Sequence, residues 1–142
     1  MYRAPGIGLA APQVGQSLRV ITIDLMPDEK PTPLTLINPE ILALSQEQAT
    51  REEGCLSLPG IFDKVPRASK IRVRALGRDG KPFEIEAEGL AAVCIQHEID
   101  HLDGILAIDR VVDTKTICTR EEFEKRYREA SPYAVAQATI KN

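Results

Sequence analysis

The stretch EGLAAVCIQHEIDHLD (residues 88–103) decides the fold, and it contains both histidines of the chain. Leu90, Val93, Cys94, His97, His101 and Ile105 recur at three- and four-residue spacings, so the stretch reads as a helix from about 88 to 103 with one apolar stripe. Gly104 falls where a left-handed C-terminal cap belongs. Within this helix, His97-Glu98-Ile99-Asp100-His101 is an H-E-x-x-H motif. Residues four apart lie one turn above each other, so both imidazoles can reach one metal ion. Glu98 is set off to the side, where it can reach a water on that metal and take its proton. Two histidines placed at random would fall into this motif in roughly one sequence in a thousand. Solvent-facing or hydrogen-bonded core histidines are the plainer reading of each imidazole alone. Their shared place on an apolar stripe favours a metal.

Working outward, Lys70–Leu76 alternates apolar and polar residues, Arg78-Asp79-Gly80-Lys81 is a turn, and Phe83–Ala87 alternates again. This is a β-hairpin feeding the helix. Leu34–Ile37 and Ile41–Leu44 read as two short strands hinged at Asn38-Pro39, and Leu18–Met26 as a half-buried strand. Pro27–Pro33 carries three prolines and reads as a surface loop, while the Gly/Ala/Pro-rich Met1–Gly15 reads as a shaped loop. A last helix is expected from Thr119, because Thr119-Arg120-Glu121-Glu122 has the capping-box pattern and Ser131-Pro132 would stop it. The expected fold class is therefore α+β: antiparallel strands and hairpins around a central helix.

Composition bounds what such a fold can do. At 142 residues the chain suits a single catalytic domain, with its chemistry-bearing segments in 6–104 and a divergent tail over 113–142. Hydrophobic residues make up 43%, enough for a sizeable core and too many for a disordered chain. A net charge of −3 offers no broad basic face, so no direct nucleic-acid binding is expected. No apolar run approaches a membrane span, and the first residues lack a signal peptide's layout. Three cysteines are an odd, sparse count that suits a reducing compartment, so a cytoplasmic protein is expected.

A catalytic metal usually takes three protein ligands and keeps one open position. Cys55 lies in Glu52-Glu53-Gly54-Cys55-Leu56-Ser57-Leu58-Pro59-Gly60, a Gly- and Pro-bounded turn that could present a thiolate. Its plainer reading is a small buried hydrophobe. On residue chemistry alone Cys55 leads Cys118 only modestly as the third donor. Cys94, three residues before His97, reads as pocket wall. The glycines of Gly6-Ile7-Gly8-Leu9-Ala10-Ala11-Pro12-Gln13 would let backbone approach a ligand, and Gln13 brings an amide that both donates and accepts. The segment lacks the spacing of a nucleotide-binding loop and taken alone would pass as an ordinary turn.

Together, Gly6–Gln13, Glu53–Ser57 and Gln96–Leu102 resemble the three ordered motifs GxGLAAxQ, EGCLS and QHExDHL of the peptide deformylases, with no mismatch. The resemblance extends over roughly residues 2 to 112 and includes the Val65-Pro66-Arg67 step. It implies a metal-dependent hydrolase that removes the formyl group from the N-terminal formyl-methionine of nascent chains and releases formate. Cys55, His97 and His101 match the metal ligands, with water in the fourth position, and Glu98 matches the general base and acid. Gln13 and the backbone N–H of Leu56 match the groups that stabilise the oxyanion, and Gly8 matches a backbone contact to substrate. Ile7, Leu90, Val93 and Cys94 would line a pocket for the methionine side chain, a role compatible with plain core packing. Asp100 is a candidate partner for Arg67 behind the histidines, or else forms a surface ion pair.

The resemblance also implies one divalent ion, natively iron(II), although a Cys/His/His set accepts zinc, nickel or cobalt as well. The implied partners are formyl-Met nascent peptides and, transiently, the ribosome, with the protein acting as a monomer in a bacterial cytosol or, if phage-encoded, a host's. The first motif begins early, so the chain is read as a minimal or N-terminally short form. The tail after Val112 departs from the family's long C-terminal helix, and no docking role is carried over to it. Two competing functions remain. One is an H-E-x-x-H metalloprotease with Glu121 or Glu122 as third ligand. The other is a non-catalytic structural metal module closed by Cys118.

Overall fold

The alternating stretch after Ser69 does what its pattern requires. In a computed structural model describing residues 1–4, 6–126 and 139–141, Ile71, Val73 and Ala75 are buried on one face while Lys70, Arg72 and Arg74 face outward. This is strand β6 (Lys70–Leu76), which pairs antiparallel with β7 (Pro82–Glu88) from Lys70↔Glu88 to Leu76↔Pro82. The expected turn joins them: Gly80 takes φ +75°, and the Lys81 N–H donates to Asp79 Oδ1 at 3.0 Å. The two segments expected on either side of Asn38-Pro39 form one strand, β3 (Leu34–Leu44). The hinge survives as an irregularity in the β3–β6 register between Ile37 and Glu40, with Asn38 at φ +50°. Pro39 cannot donate to the ladder, so the strand bulges instead of ending.

The opening segment is more regular than a loop. It contains β1 (Gly8–Ala10), paired with β2 (Val20–Ile23), followed by a 3-10 turn over Ala11–Val14. The larger correction concerns residues 48–68. Only Glu52–Gly60 is read from sequence, as a turn; the whole stretch is two long paired strands, β4 (Gln48–Cys55) and β5 (Leu58–Ala68), in register from Gln48↔Ala68 to Gly54↔Phe62. Only Leu56-Ser57 turns the chain. The inward positions of β4 include Glu53 and Cys55 rather than apolar residues, so its alternation carries no hydrophobic signal.

Two sheets result. The larger has the order β1-β2-β3-β6-β7-β9, where β9 is Thr139–Lys141 against β7; the smaller is β4-β5-β8, where β8 is Cys118–Thr119. Helix α1 (Leu90–Leu102) packs on β1, β2 and β7 of the first sheet and on β5 of the second. The expected single stripe is therefore corrected: Leu90 through His101 are all buried, because the helix is covered from two sides. Its polar residues need dedicated partners. Gln96 accepts from the Ala68 N–H and donates to the Ala68 and Ala92 carbonyls. At the helix end Gly104, at φ +74°, donates to His101 O, and Ile105 N–H reaches Asp100 O, the left-handed cap expected from sequence. Helix α2 (Arg120–Arg126) starts as expected, with the Glu122 N–H donating to Thr119 Oγ1 at 3.3 Å. The proposed stop at Ser131-Pro132 lies outside the described residues. The architecture is the α+β arrangement of strands around one main helix.

Candidate metal centre and active-site cleft

One turn of α1 separates His97 from His101 and leaves their ring centroids 5.0 Å apart. The end of β4 brings Cys55 against them, with Sγ 3.2 Å from His101 Nε2. Ligand atoms of these three residues all lie within 4.8 Å of one another, and among the described residues they form the one group able to converge on a cation. Cys118, in β8 opposite Phe62, and Glu121 and Glu122, on α2, are not part of it.

The strand that delivers Cys55 also delivers Glu53, two residues earlier and on the same face. Glu53 Oε1 lies 2.7 Å from His97 Nδ1, which orients the ring and leaves Nε2 for a metal. Arg67 on β5 holds Glu53 bidentately at 2.7 and 2.9 Å and reaches Asp100 Oδ2 at 2.7 Å. Arg110, with its side chain 46% exposed, grips the same Asp100 at 2.8 and 3.0 Å. A chain of alternating charge thus runs from His97 to the surface. The Asp100–Arg67 contact is a buried pair, not a surface one. The role of Glu53 escapes the sequence reading. Its signal is the i, i+2 relation to Cys55, which means something only once β4 is known to be a strand.

Electrostatics suit cation binding. Burial works to raise the Cys55 thiol, but contacts with His101, His97 and the Ser57 backbone outweigh it and bring it down to about 5, a thiolate at neutral pH. Burial disfavours charge on His97, yet Cys55 and Glu53 raise it to about 10, so thiolate and imidazolium hold each other where a metal's charge would stand. Glu98 differs from these. Burial lifts its carboxyl to about 7, and its Oε2 is buried with no hydrogen-bond partner.

All of this opens on a cleft of about 650 Å³. Ile7, Gly8, Leu90, Val93 and Cys94 line its apolar side, with Cys55, Leu56, His97, Glu98 and Gln13 at its polar end. Of the three converging residues, His101 lies behind the lining, where it still meets Cys55. Cys94 is buried, and its Sγ faces the Ile7 carbonyl. Gln13 accepts the Ala10 N–H on Oε1 and turns Nε2 toward Ser57 Oγ at 3.0 Å and Cys55 Sγ at 3.9 Å.

Fold and donor set together define a metal-hydrolase architecture, built on an H-E-x-x-H helix with a cysteine supplied by a strand. Known proteins narrow this. The polypeptide deformylase family profile matches residues 1–116. The chain is 54% identical over 129 residues to the peptide deformylase of Alkalilimnicola ehrlichii, covering 91% of this chain and 72% of that protein. A peptide deformylase from Synechococcus elongatus, solved in complex with actinonin, superposes with a TM-score of 0.79 at 45% identity, over 89% of this chain and 68% of that one. One from Acinetobacter baumannii, solved with Met-Ala-Ser bound, superposes at 0.73 and 40% identity, over 78% and 74%. The chain belongs to the peptide deformylase family of metal-dependent hydrolases.

Proposed function

We propose that this chain hydrolyses the formyl group from the N-terminal formyl-methionine of nascent polypeptides, releasing formate and a free α-amine. The observation that carries this reading is the buried Glu98 carboxylate, unpartnered at Oε2 and raised to about 7, beside the converging Cys55, His97 and His101. The donor set fits a divalent ion: a thiol already ionised at neutral pH and two imidazoles one turn apart. An ion held there supplies a Lewis acid that acidifies a water and polarises the formyl oxygen. We assign iron(II) as the native ion by family resemblance; zinc, nickel and cobalt suit the same donors.

The chain's own groups supply the rest. Glu98 takes the proton of the attacking water and passes it to the amine nitrogen as the C–N bond breaks, a task suited to an acid that titrates near neutrality. Gln13 Nε2 and the backbone N–H of Leu56 donate to the formyl oxygen as it gains charge, stabilising the transition state more than the substrate. Gly8 offers backbone at the cleft floor, and Ile7, Leu90, Val93 and Cys94 receive the methionine side chain. The Met-Ala-Ser peptide bound by the Acinetobacter baumannii relative supports this substrate class. Residues 1–142 then act as one catalytic unit, a cytosolic monomer that meets its substrate transiently at the ribosome.

Glu98→Ala tests the assignment. The variant should keep its metal and lose formate release from formyl-Met-Ala-Ser, while the parent leaves unformylated internal peptide bonds intact. Full activity of the variant, or loss of its metal, would refute the role given to Glu98.

A further inference from the structure

We infer that Ser57 is a positioning residue that aims the Gln13 amide at the reacting carbonyl, an inference that rests on the oxyanion role proposed for Gln13. The Gln13 side chain is long and flexible, and holding it in one rotamer costs entropy. Its carbonyl end is fixed: Oε1 accepts the Ala10 N–H at 2.9 Å, so Nε2 is the end that faces the cleft. Nε2 carries two N–H groups. One donates to Ser57 Oγ at 3.0 Å, a normal hydrogen bond, and the other points to Cys55 Sγ at 3.9 Å, a long contact to a soft acceptor. The two bonds divide the work. Ser57 and the Ala10 N–H pin the plane of the amide, and the N–H loosely held by sulfur is the one that turns to the formyl oxygen as charge builds there.

The position of Ser57 makes this separable from the metal site. Ser57 lies in the two-residue turn between β4 and β5, exposed, directly after the Cys55-Leu56 step. Ser57 meets Gln13 through its hydroxyl. Removing the hydroxyl therefore leaves the backbone of the turn in place and releases the amide.

The experiment is a double-mutant cycle on the metal-loaded protein with formyl-Met-Ala-Ser, reading kcat, KM and metal content for Ser57→Ala, Ser57→Thr, Gln13→Ala and the Ser57→Ala/Gln13→Ala pair. Loss of one orienting hydrogen bond to a transition-state donor should lower kcat of Ser57→Ala about tenfold. KM should change less than about twofold and metal content not at all, and Ser57→Thr, which keeps the hydroxyl, should recover most of the rate. In the Gln13→Ala background Ser57→Ala should have no further effect, because its route of action is already gone. Full kcat in Ser57→Ala beside a slow Gln13→Ala overturns the inference, as does multiplication of the two losses or loss of metal. If Gln13→Ala itself keeps full kcat, the oxyanion role of Gln13 is what fails, and this inference falls with it.

Discussion

Gly8 is the position where a single methyl group should do the most damage per atom. A Cβ built there would stand 2.6 Å from Glu98 Oε1, 2.8 Å from Cys94 Sγ and 2.9 Å from Glu98 Cγ. The first contact is about 0.8 Å short of the 3.4 Å at which ordinary contact begins. Gly8 is not among the glycines with positive φ, so alanine meets no backbone strain; the cost is space alone. Cys94 is buried against the Ile7 carbonyl and yields little, so the displacement falls on the Glu98 carboxylate, whose Oε2 has no bond to hold it. Overpacking of this kind costs ~1–3 kcal/mol of stability. Misplacing a catalytic group by close to 1 Å costs on the order of 10²-fold in rate. Gly8→Ala should therefore fold, keep its metal and lose about 10²-fold in kcat/KM for formyl-Met-Ala-Ser, measured as formate released. The same change at Gly6 is the comparison: its Cβ would meet Leu56 Cδ1 at 2.7 Å, the far end of an aliphatic side chain that can swing aside. A Gly8→Ala variant with full metal and activity within about threefold of the parent would refute the reasoning, since Glu98 would then tolerate displacement.

Two further outcomes follow from buried charge. Arg67, with its side chain 4% exposed, neutralises both Glu53 and Asp100, and Arg110 can compensate only Asp100. Arg67→Met should lose about 3–5 kcal/mol in urea unfolding and bind metal roughly 10–100-fold more weakly in a chelator competition; a loss below about 1 kcal/mol would refute the importance of the pair. Asp63, cross-strand from Glu53 and 1% exposed, has a buried Oδ1 without a partner, and burial followed by the charge of Glu53 raises it to about 6. A carboxyl whose folded pKa is raised binds its proton more tightly in the native state, so it costs stability progressively as pH climbs from about 4 to 6. Asp63→Asn should remove that cost, gaining ~1–2 kcal/mol at pH 8 after allowance for solvent screening and nothing at pH 3.5; an equal effect at both pH values would show that charge is not the cause.

Much of this protein is legible from local spacing. The helix over 90–102, its left-handed end at Gly104, the 70–88 hairpin and the start of α2 at Thr119 all rest on interactions within a few residues, and all appear where the pattern puts them. The two imidazoles converge for the same reason, being one turn apart on one helix. The third donor is another matter. Residue chemistry favours Cys55 over Cys118 only modestly, and the motif resemblance chose between them where local physics did not decide.

What only the tertiary structure decided is the β4–β5 hairpin and everything it carries inward. Residues 48–55 contain four charged or amide side chains and no large apolar one, so nothing in their own pattern marks a strand. They become one because β5 offers a ladder of partners, and because Arg67 and His97, distant in sequence, neutralise the Glu53 that the strand buries. Strand formation depends on neighbours across the sheet, whereas helix formation closes its bonds within the segment. By itself the sequence determined the helix that holds two histidines. The pairing of strands decided how a cysteine met them and how a buried carboxylate came to orient one of them.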